Sequence, residues 1–299
     1  MMGESIKIDK VYKYYDDFAA LKDVNLSFEK DKIYGLIGRN GAGKTTLLKI
    51  IANQLLTSKG DIFIGDKSLS KDSSVVENIC LARETLGKAF ETSNVFKMNV
   101  FFELCSKSFK NWDNDYAKYL IKKFRIDEKK YYSKLSKGMK TAVGIIMGLA
   151  SRAEITLFDE PYVGLDPVAR EVFYSELQKD YMEHPRTIII SSHLINELEG
   201  MFEKVIFIDN GSIIIDEDLE SLREIYWLLQ GRESKINKYT DFHKILNVEK
   251  LGSLASYAIK GRLTEEEIFN MKSDDIEVSK ISIQKLLYYL TNGGDDDAK

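Results

Sequence analysis

Polar and apolar positions alternate at the start of the chain and cluster further on. Val24, Leu26 and Phe28 alternate with Asn25, Ser27 and Glu29, the period of a half-buried strand, and residues 6–30 read as strands throughout. Ile33–Ile37 is a short apolar run, as expected of a strand buried on both faces. Residues 47–51 have the spacing of an amphipathic helix, and 60–65 suggest a further edge strand. From 87 to 151 the pattern turns helical, in stretches at 97–110, 113–125 and 138–151. Breaks at Asn111-Trp112-Asp113 and Tyr131-Tyr132-Ser133 separate them, so the segment reads as a helical insert. Apolar strands return at 155–158 and 187–191, with a helix near 168–183 between them. Lys204–Asp209 and 212–215 flank Asn210-Gly211, a strong hairpin signal. Residues 218–230 read as helical, and 283–290 as a late helix. The expected fold class is α/β, with a mixed β-sheet core, an N-terminal antiparallel β subdomain, a helical insert and a small C-terminal α+β appendage. The domains expected are 1–230 and 231–293, with 294–299 a disordered acidic tail.

Chemistry enters at the junction of the first buried strand and the first helix. Gly38-Arg39-Asn40-Gly41-Ala42-Gly43-Lys44-Thr45-Thr46 fits G-x-x-x-x-G-K-[ST], the phosphate-binding P-loop. Its glycines let successive N–H groups point inward as an anion nest, and the following helix adds the positive end of its dipole. Lys44 is placed to reach phosphates, and the Thr45 hydroxyl to ligate Mg²⁺. The strand at 155–158 ends in Asp159-Glu160, at the carboxyl end where open α/β sheets bind ligands. Asp159 can hold the metal shell, and Glu160 can orient or deprotonate water. Asp166-Pro167 suits a helix start; Ser136 is a candidate cap for the helix over 138–151, and that helix start, bearing Ser136, Lys137 and Gly138, is a second candidate phosphate site. His193 follows a core strand at the same rim, as a phosphate contact or a structural residue. Tyr12, Tyr14 and Tyr15 precede the loop, where an exposed tyrosine can stack on a base or pack.

Bulk properties narrow the partners. Over 299 residues, 44% are hydrophobic and 30% charged, enough for a sizeable core. The net charge of -4 argues against broad nucleic-acid binding, and no direct nucleic-acid partner is expected. Cys80 and Cys105 form no spacing motif and read as small buried hydrophobes of a reducing compartment. The opening Met-Met-Gly-Glu-Ser begins no apolar segment, so no signal peptide is expected. Nor does any apolar run reach the roughly 18 residues of a membrane span.

Together these motifs resemble the ATP-binding cassette family, the nucleotide-binding subunits of ABC transporters, over residues 6 to about 225. The P-loop resembles its Walker A and Ile155 to Glu160 its Walker B with the catalytic glutamate. Leu135-Ser136-Lys137-Gly138-Met139 falls where the family carries Leu-Ser-Gly-Gly-Gln. Gly164-Leu165-Asp166 resembles the D-loop, His193 the switch histidine and Tyr15 the aromatic that stacks on adenine. Glu84 falls near the glutamine that contacts the metal's water. Lys137, Met139 and Glu84 depart from the family pattern.

The resemblance implies ATP and Mg²⁺ as ligands, a homodimer (or a heterodimer with a second cassette), and an integral membrane permease as partner at the cytoplasmic face of the membrane. It also implies an ATPase of the ABC-2 or antimicrobial-resistance exporter type. Phe101, Phe102 and Trp112 are candidates to receive the permease's coupling helix, or core residues. The other readings are a cassette ATPase acting on ribosomes or nucleic acid, or an ATP-switched regulator. One cassette, no sustained heptads and an intact Glu160 disfavour them.

Overall fold

The computed structural model describes residues 6–85, 96–193 and 199–292. The first residues of the expected insert, 87–95, and the acidic tail at 294–299 lie outside the described residues. Contacts divide the chain into two compact units. One runs to His193 and also takes Lys204–Asp216; the other takes the chain from Glu217 onward, together with the short stretch before Lys204.

The elements of the first unit are, in chain order, β1 (Ile6–Tyr15), β2 (Phe18–Phe28), β3 (Ile33–Ile37), α1 (Lys44–Ile51), β4 (Lys59–Ile64), β5 (Lys67–Ser68) and β6 (Ile79–Arg83). There follow α2 (Met98–Ser108), α3 (Asn114–Lys123), α4 (Lys137–Ala150), β7 (Ile155–Asp159), α5 (Pro167–Glu183), β8 (Thr187–Ser192), β9 (Lys204–Asp209) and β10 (Ser212–Asp218). Strands β2-β1-β4-β5 make the N-terminal sheet, in which β1 pairs antiparallel with both β2 and β4. The stretch expected as an edge strand is therefore interior: the two-residue β5 lies outside β4.

The central sheet has the order β10-β9-β3-β8-β7-β6. Its pairs β9–β3, β3–β8, β8–β7 and β7–β6 are parallel. Parallel strands are covered on both faces, and β3 accordingly buries all its residues. Asn210 (φ 45) and Gly211 (φ 82) turn β9 into β10, both left-handed as a type I′ turn requires.

Leu47, Leu48, Ile50 and Ile51 of α1 join one core with Ile6 and Ile8 of β1, Leu157 of β7 and Ile189 of β8. On the other face, Gly148 of α4 lies against Phe158 and Ala82; a side chain there would meet the Phe158 ring at 2.5 Å. Deleting one of the buried leucines would cost about 2–5 kcal/mol.

The three helices of the insert form as the spacing predicts. Asp113 caps α3, accepting from the Tyr116 N–H at 2.9 Å. Charge ties the insert to α5: Glu176, 3% exposed, meets Lys123, and the Tyr119 hydroxyl donates to it at 3.2 Å. Asp180, 4% exposed, sits between Arg152 and Arg186. Phe101 and Phe102 are buried, so neither is a docking residue; Trp112 is half-buried. Inward placement satisfies these apolar rings, as the helical period allows.

The second unit adds α6 (Leu219–Ile225), β11 (Tyr226–Arg232), α7 (Glu233–Ile236), β12 (Lys244–Leu251), β13 (Leu254–Lys260), α8 (Glu265–Ser273), β14 (Glu277–Lys280) and α9 (Ile283–Asn292). Its sheet has the order β12-β13-β11-β14, antiparallel throughout. The helix expected over 218–230 stops at Ile225, and Tyr226–Arg232 is an interior strand. Trp227 and Leu229 alternate into the core with Tyr257, Ile259 and Met271. Pairing on both edges outweighs the helical spacing of this aromatic and leucine-rich run. Thr264 and Glu267 form a capping box at the start of α8. The late helix forms as expected.

Candidate functional site

The loop after β3 owes its course to residues that lack side chains. Gly41 and Gly43 have φ of 84 and 113, left-handed angles that favour glycine. A Cβ at Gly38 would stand 2.3 Å from the Ile208 carbonyl oxygen, and one at Gly43 2.8 Å from that of Ala20. The loop thus folds tightly and delivers its chain into α1, whose first residue is Lys44. Lys44 is 6% exposed. Its ammonium donates to the carbonyl oxygens of Gly38 (2.7 Å) and Arg39 (3.2 Å) and lies 3.2 Å from Glu160 Oε1.

Strand β7 brings the carboxylates. Asp159 Oδ1 accepts from the hydroxyls of Thr45 at 3.1 Å and Ser191 at 2.7 Å. Ser191 accepts in turn from the Glu160 N–H at 2.9 Å. Glu160 leaves the strand with φ 51, a left-handed angle rare outside glycine. That turn aims its side chain at three partners. Besides Lys44, Oε2 lies 2.6 Å from His193 Nδ1 and 2.7 Å from the Tyr162 hydroxyl. The same hydroxyl is 2.7 Å from Ser192 Oγ and accepts from the His193 N–H at 3.0 Å. Tyr162 has one proton. Given to the carboxylate, it leaves the phenol oxygen to accept from Ser192 and from the His193 backbone. Burial first, and the Glu160 charge second, push this phenol up from its ordinary range.

A cavity of about 650 Å³ opens over these groups. Asn40, Gly41, Gly43, Lys44, Thr45 and Thr46 line its floor, with Asp159, Glu160 and His193 beside them. Tyr15 and Phe18, 45% and 63% exposed, form an aromatic lip, and Lys13 Nζ stands 5.4 Å from the Tyr15 ring centre. Ala42 is buried beneath the loop. The arrangement suits a polyphosphate: a glycine loop, a buried ammonium and a helix start line one concavity. The Thr45 hydroxyl beside the Asp159 carboxylate is an all-oxygen set, as a hard cation such as Mg²⁺ prefers.

Glu84, the first residue after β6, also lines the cavity. Its carboxylate is 3.4 Å from Lys137 Nζ, so two departures from the family pattern meet each other. Its carbonyl oxygen accepts from the Tyr132 hydroxyl at 2.7 Å. Ser136 and Gly138 are elsewhere. Ser136 caps α4, accepting from the Met139 N–H at 3.3 Å. Gly138 lies against the loop after β7, where a Cβ would be 2.4 Å from the Gly164 carbonyl oxygen. The Thr141 hydroxyl donates to the Val163 carbonyl at 2.7 Å and fastens the same contact. The structure therefore gathers Tyr15, the loop, Glu84, Asp159, Glu160 and His193 into one cavity, and sets Gly138 beside Gly164, with Ser136 capping the same helix.

Sequence reasoning missed Tyr162, Ser191, Ser192 and Phe18. Two serines closing an otherwise apolar strand were a signal, since buried hydroxyls need partners. Phe18 stands three residues after Tyr15 with no apolar period to absorb it.

A family profile described as ABC transporter matches residues 21–163. The chain is 31% identical over 225 residues to the ABC transporter ATP-binding protein YtrB of Bacillus subtilis, covering 75% of this chain and 76% of that one. It is 32% identical over 214 residues to the ABC transporter ATP-binding protein NatA of the same organism, covering 69% and 84%. Other relatives are named for bacitracin transport in Enterococcus faecalis (27% identical, 81% of this chain and 75% of that one) and for phosphonates import in Halalkalibacterium halodurans (28%, 77% and 96%). Among solved structures, the ATP-binding subunit of an ABC transporter superposes with a TM-score of 0.64 at 22% identity, over 73% of this chain and 91% of that one. A dimeric cassette bound to ADP and Pi gives 0.62 at 22%, over 72% and 98%. With this ancestry and a P-loop cassette fold, the chain belongs to the ATP-binding proteins of the ABC transporter family and is an ATP hydrolase of the cassette type.

Proposed function

We propose that this chain powers solute export through a separate membrane permease, docked at its cytoplasmic face, and that two copies work as a pair. What carries its hydrolytic core is the convergence of Lys44, Thr45, Asp159, Glu160 and His193 on one cavity. Tyr15 stacks on the adenine. Asn40, Gly41, Ala42, Gly43, Lys44, Thr45 and Thr46 hold the phosphates. Thr45 and Asp159 would hold Mg²⁺, with Glu84 at its water, and the ion would neutralise phosphate charge. Glu160 takes a proton from the attacking water, and Lys44 and His193 stabilise charge on the transferring phosphoryl group.

Ser136 and Gly138 lie outside their own chain's cavity, which favours their completing the site of a second copy. A dimeric relative of the same fold supports that pairing. Export is supported by the second unit that follows the cassette and by kinship with ATP-binding proteins named for bacitracin and lantibiotic transport. Among the described residues, no helix is long and apolar enough to cross a membrane, so the span belongs to the permease in this reading.

The test is purification of Glu160→Gln, held with ATP, from mildly solubilised native membranes. This variant should lose about a hundredfold or more in hydrolysis and elute as a dimer with one integral membrane protein. Capture of ribosomal or nucleic-acid species in place of a membrane protein would refute the transport reading. Uptake, not efflux, in vesicles of the captured complex would replace export with import.

A further inference from the structure

Strand β6 is apolar from Ile79 to Ala82 and ends on Arg83. In the parallel register Arg83 stands opposite Asp159, and Asp159 opposite Ser191. Residues opposite each other on neighbouring strands project from the same face. The three form a row across the sheet at its carboxyl end. Leu81, Leu157 and Ile189, two residues earlier, share that face and pack into the core that holds Leu47 and Leu48 of α1. Arg83 is therefore on the side of the helix that begins with Lys44, away from α4.

Arg83 is half-buried and lines the same cavity as Lys44, Thr45, Asp159, Glu160 and His193. The groups around it already have partners. Lys44 and His193 meet Glu160, Asp159 accepts from Thr45 and Ser191, and Glu84 meets Lys137. Among the described residues, no hydrogen bond or ion pair holds the Arg83 guanidinium. A permanent cation with five donors, facing a cavity built for a polyanion, has phosphate as its natural partner.

Position selects the phosphate. The sheet order places β6 beyond β7 from β3, whose end feeds the loop. Arg83 is thus one strand, or about 4.8 Å, past the carboxylates. The aromatic lip lies toward the opposite edge of the sheet, because Ala20 and Lys22, just after Phe18, meet Gly211 in the β9–β10 turn, so the terminal phosphate of a nucleotide stacked on Tyr15 would lie toward Arg83.

We propose that Arg83 is a further catalytic residue, contacting the terminal phosphate of ATP from within its own chain. The proposal rests on the hydrolytic reading of the site. Water oxygen bonds to the terminal phosphorus, the bond to the bridging oxygen breaks, and ADP leaves with that electron pair. The proton of water goes to Glu160. Arg83 keeps its own proton throughout and offsets charge on the phosphoryl oxygens.

The test measures calorimetric affinity, with Mg²⁺, for ADP and for the imido analogue of ATP, using the full chain and its Arg83→Ala and Arg83→Lys variants. Arg83→Ala should bind the analogue about tenfold or more weakly, as loss of a charge-assisted hydrogen bond implies. ADP affinity should stay within about twofold, and kcat should fall. Arg83→Lys should recover part of both losses. Equal change for the two nucleotides, or no change for either, overturns the proposal. Failure of the unaltered chain to bind the analogue would instead defeat the hydrolytic reading beneath it.

Discussion

Tyr162, which no motif marks, ties three parts of the site together. Its hydroxyl meets Glu160, Ser192 and the His193 backbone, and its side chain is 1% exposed. Tyr162→Phe keeps the ring and removes the donor. A hydrogen bond to a carboxylate contributes about 1.5–3 kcal/mol, so kcat should fall about tenfold or more while nucleotide affinity holds; unchanged turnover would remove Tyr162 from the site's machinery. The phenol also sets an alkaline limit. Burial, with Glu160 beside it, holds its folded value above the ordinary 10.0. The unfolded chain gives up this proton first, so the stability it contributes is complete below about pH 10 and declines as pH climbs past it. Urea midpoints measured above about pH 10 should fall more steeply for the parent chain than for Tyr162→Phe. Motif reading reached Lys44, Thr45, Asp159 and Glu160 because loop chemistry and strand ends impose fixed residue types. Tyr162 escaped because a lone tyrosine after a proline has no spacing to read; its partner Ser192 lies 30 residues away.

Helix α4 depends on its first turn. Ser136 caps it, and Gly138 admits the backbone at Gly164. Gly138→Ala would drive a methyl within 2.4 Å of the Gly164 carbonyl oxygen. It should destabilise the first unit by about 1–3 kcal/mol, read by urea titration. Lys137 is different: its side chain is 59% exposed where it meets Glu84. An exposed pair contributes at most about 1 kcal/mol and less in salt. Exchanging the two as Lys137→Glu with Glu84→Lys should therefore undo most of the loss caused by either alone. A double-mutant cycle in low and high salt checks this; singles that simply add would show that the two charges do not communicate. Elements with a strict period or a turn signal were legible, as with β2, β3, α4 and the Asn210-Gly211 hairpin. The strand Tyr226–Arg232 was not. Its partners β13 and β14 follow it in the chain, and only pairing on both edges decides against the helix.

At the scale of the whole molecule, the two tryptophans divide between the units, Trp112 in the first and Trp227 in the second. A ligand stabilises only what it binds, by about 2.7 kcal/mol at a hundred times its Kd. Addition of Mg²⁺ and the imido analogue should raise the thermal midpoint reported by Trp112 in Trp227→Phe. The midpoint reported by Trp227 in Trp112→Phe should stay in place. Equal shifts would show that the units melt as one. The second unit also takes in residues that come before the first is finished. The Leu219 N–H donates to the Glu203 carbonyl at 2.9 Å, and Arg223 meets Glu199 at 3.1 Å. On the ribosome, Glu199 and Glu203 emerge before the partners that hold them, and the hairpin β9–β10 passes between. A stop codon placed after Asp216, the natural place to cut out a bare cassette, would leave those partners untranslated. The surplus ends would lie inside the shortened gene product, where no trimming of its terminus could reach them.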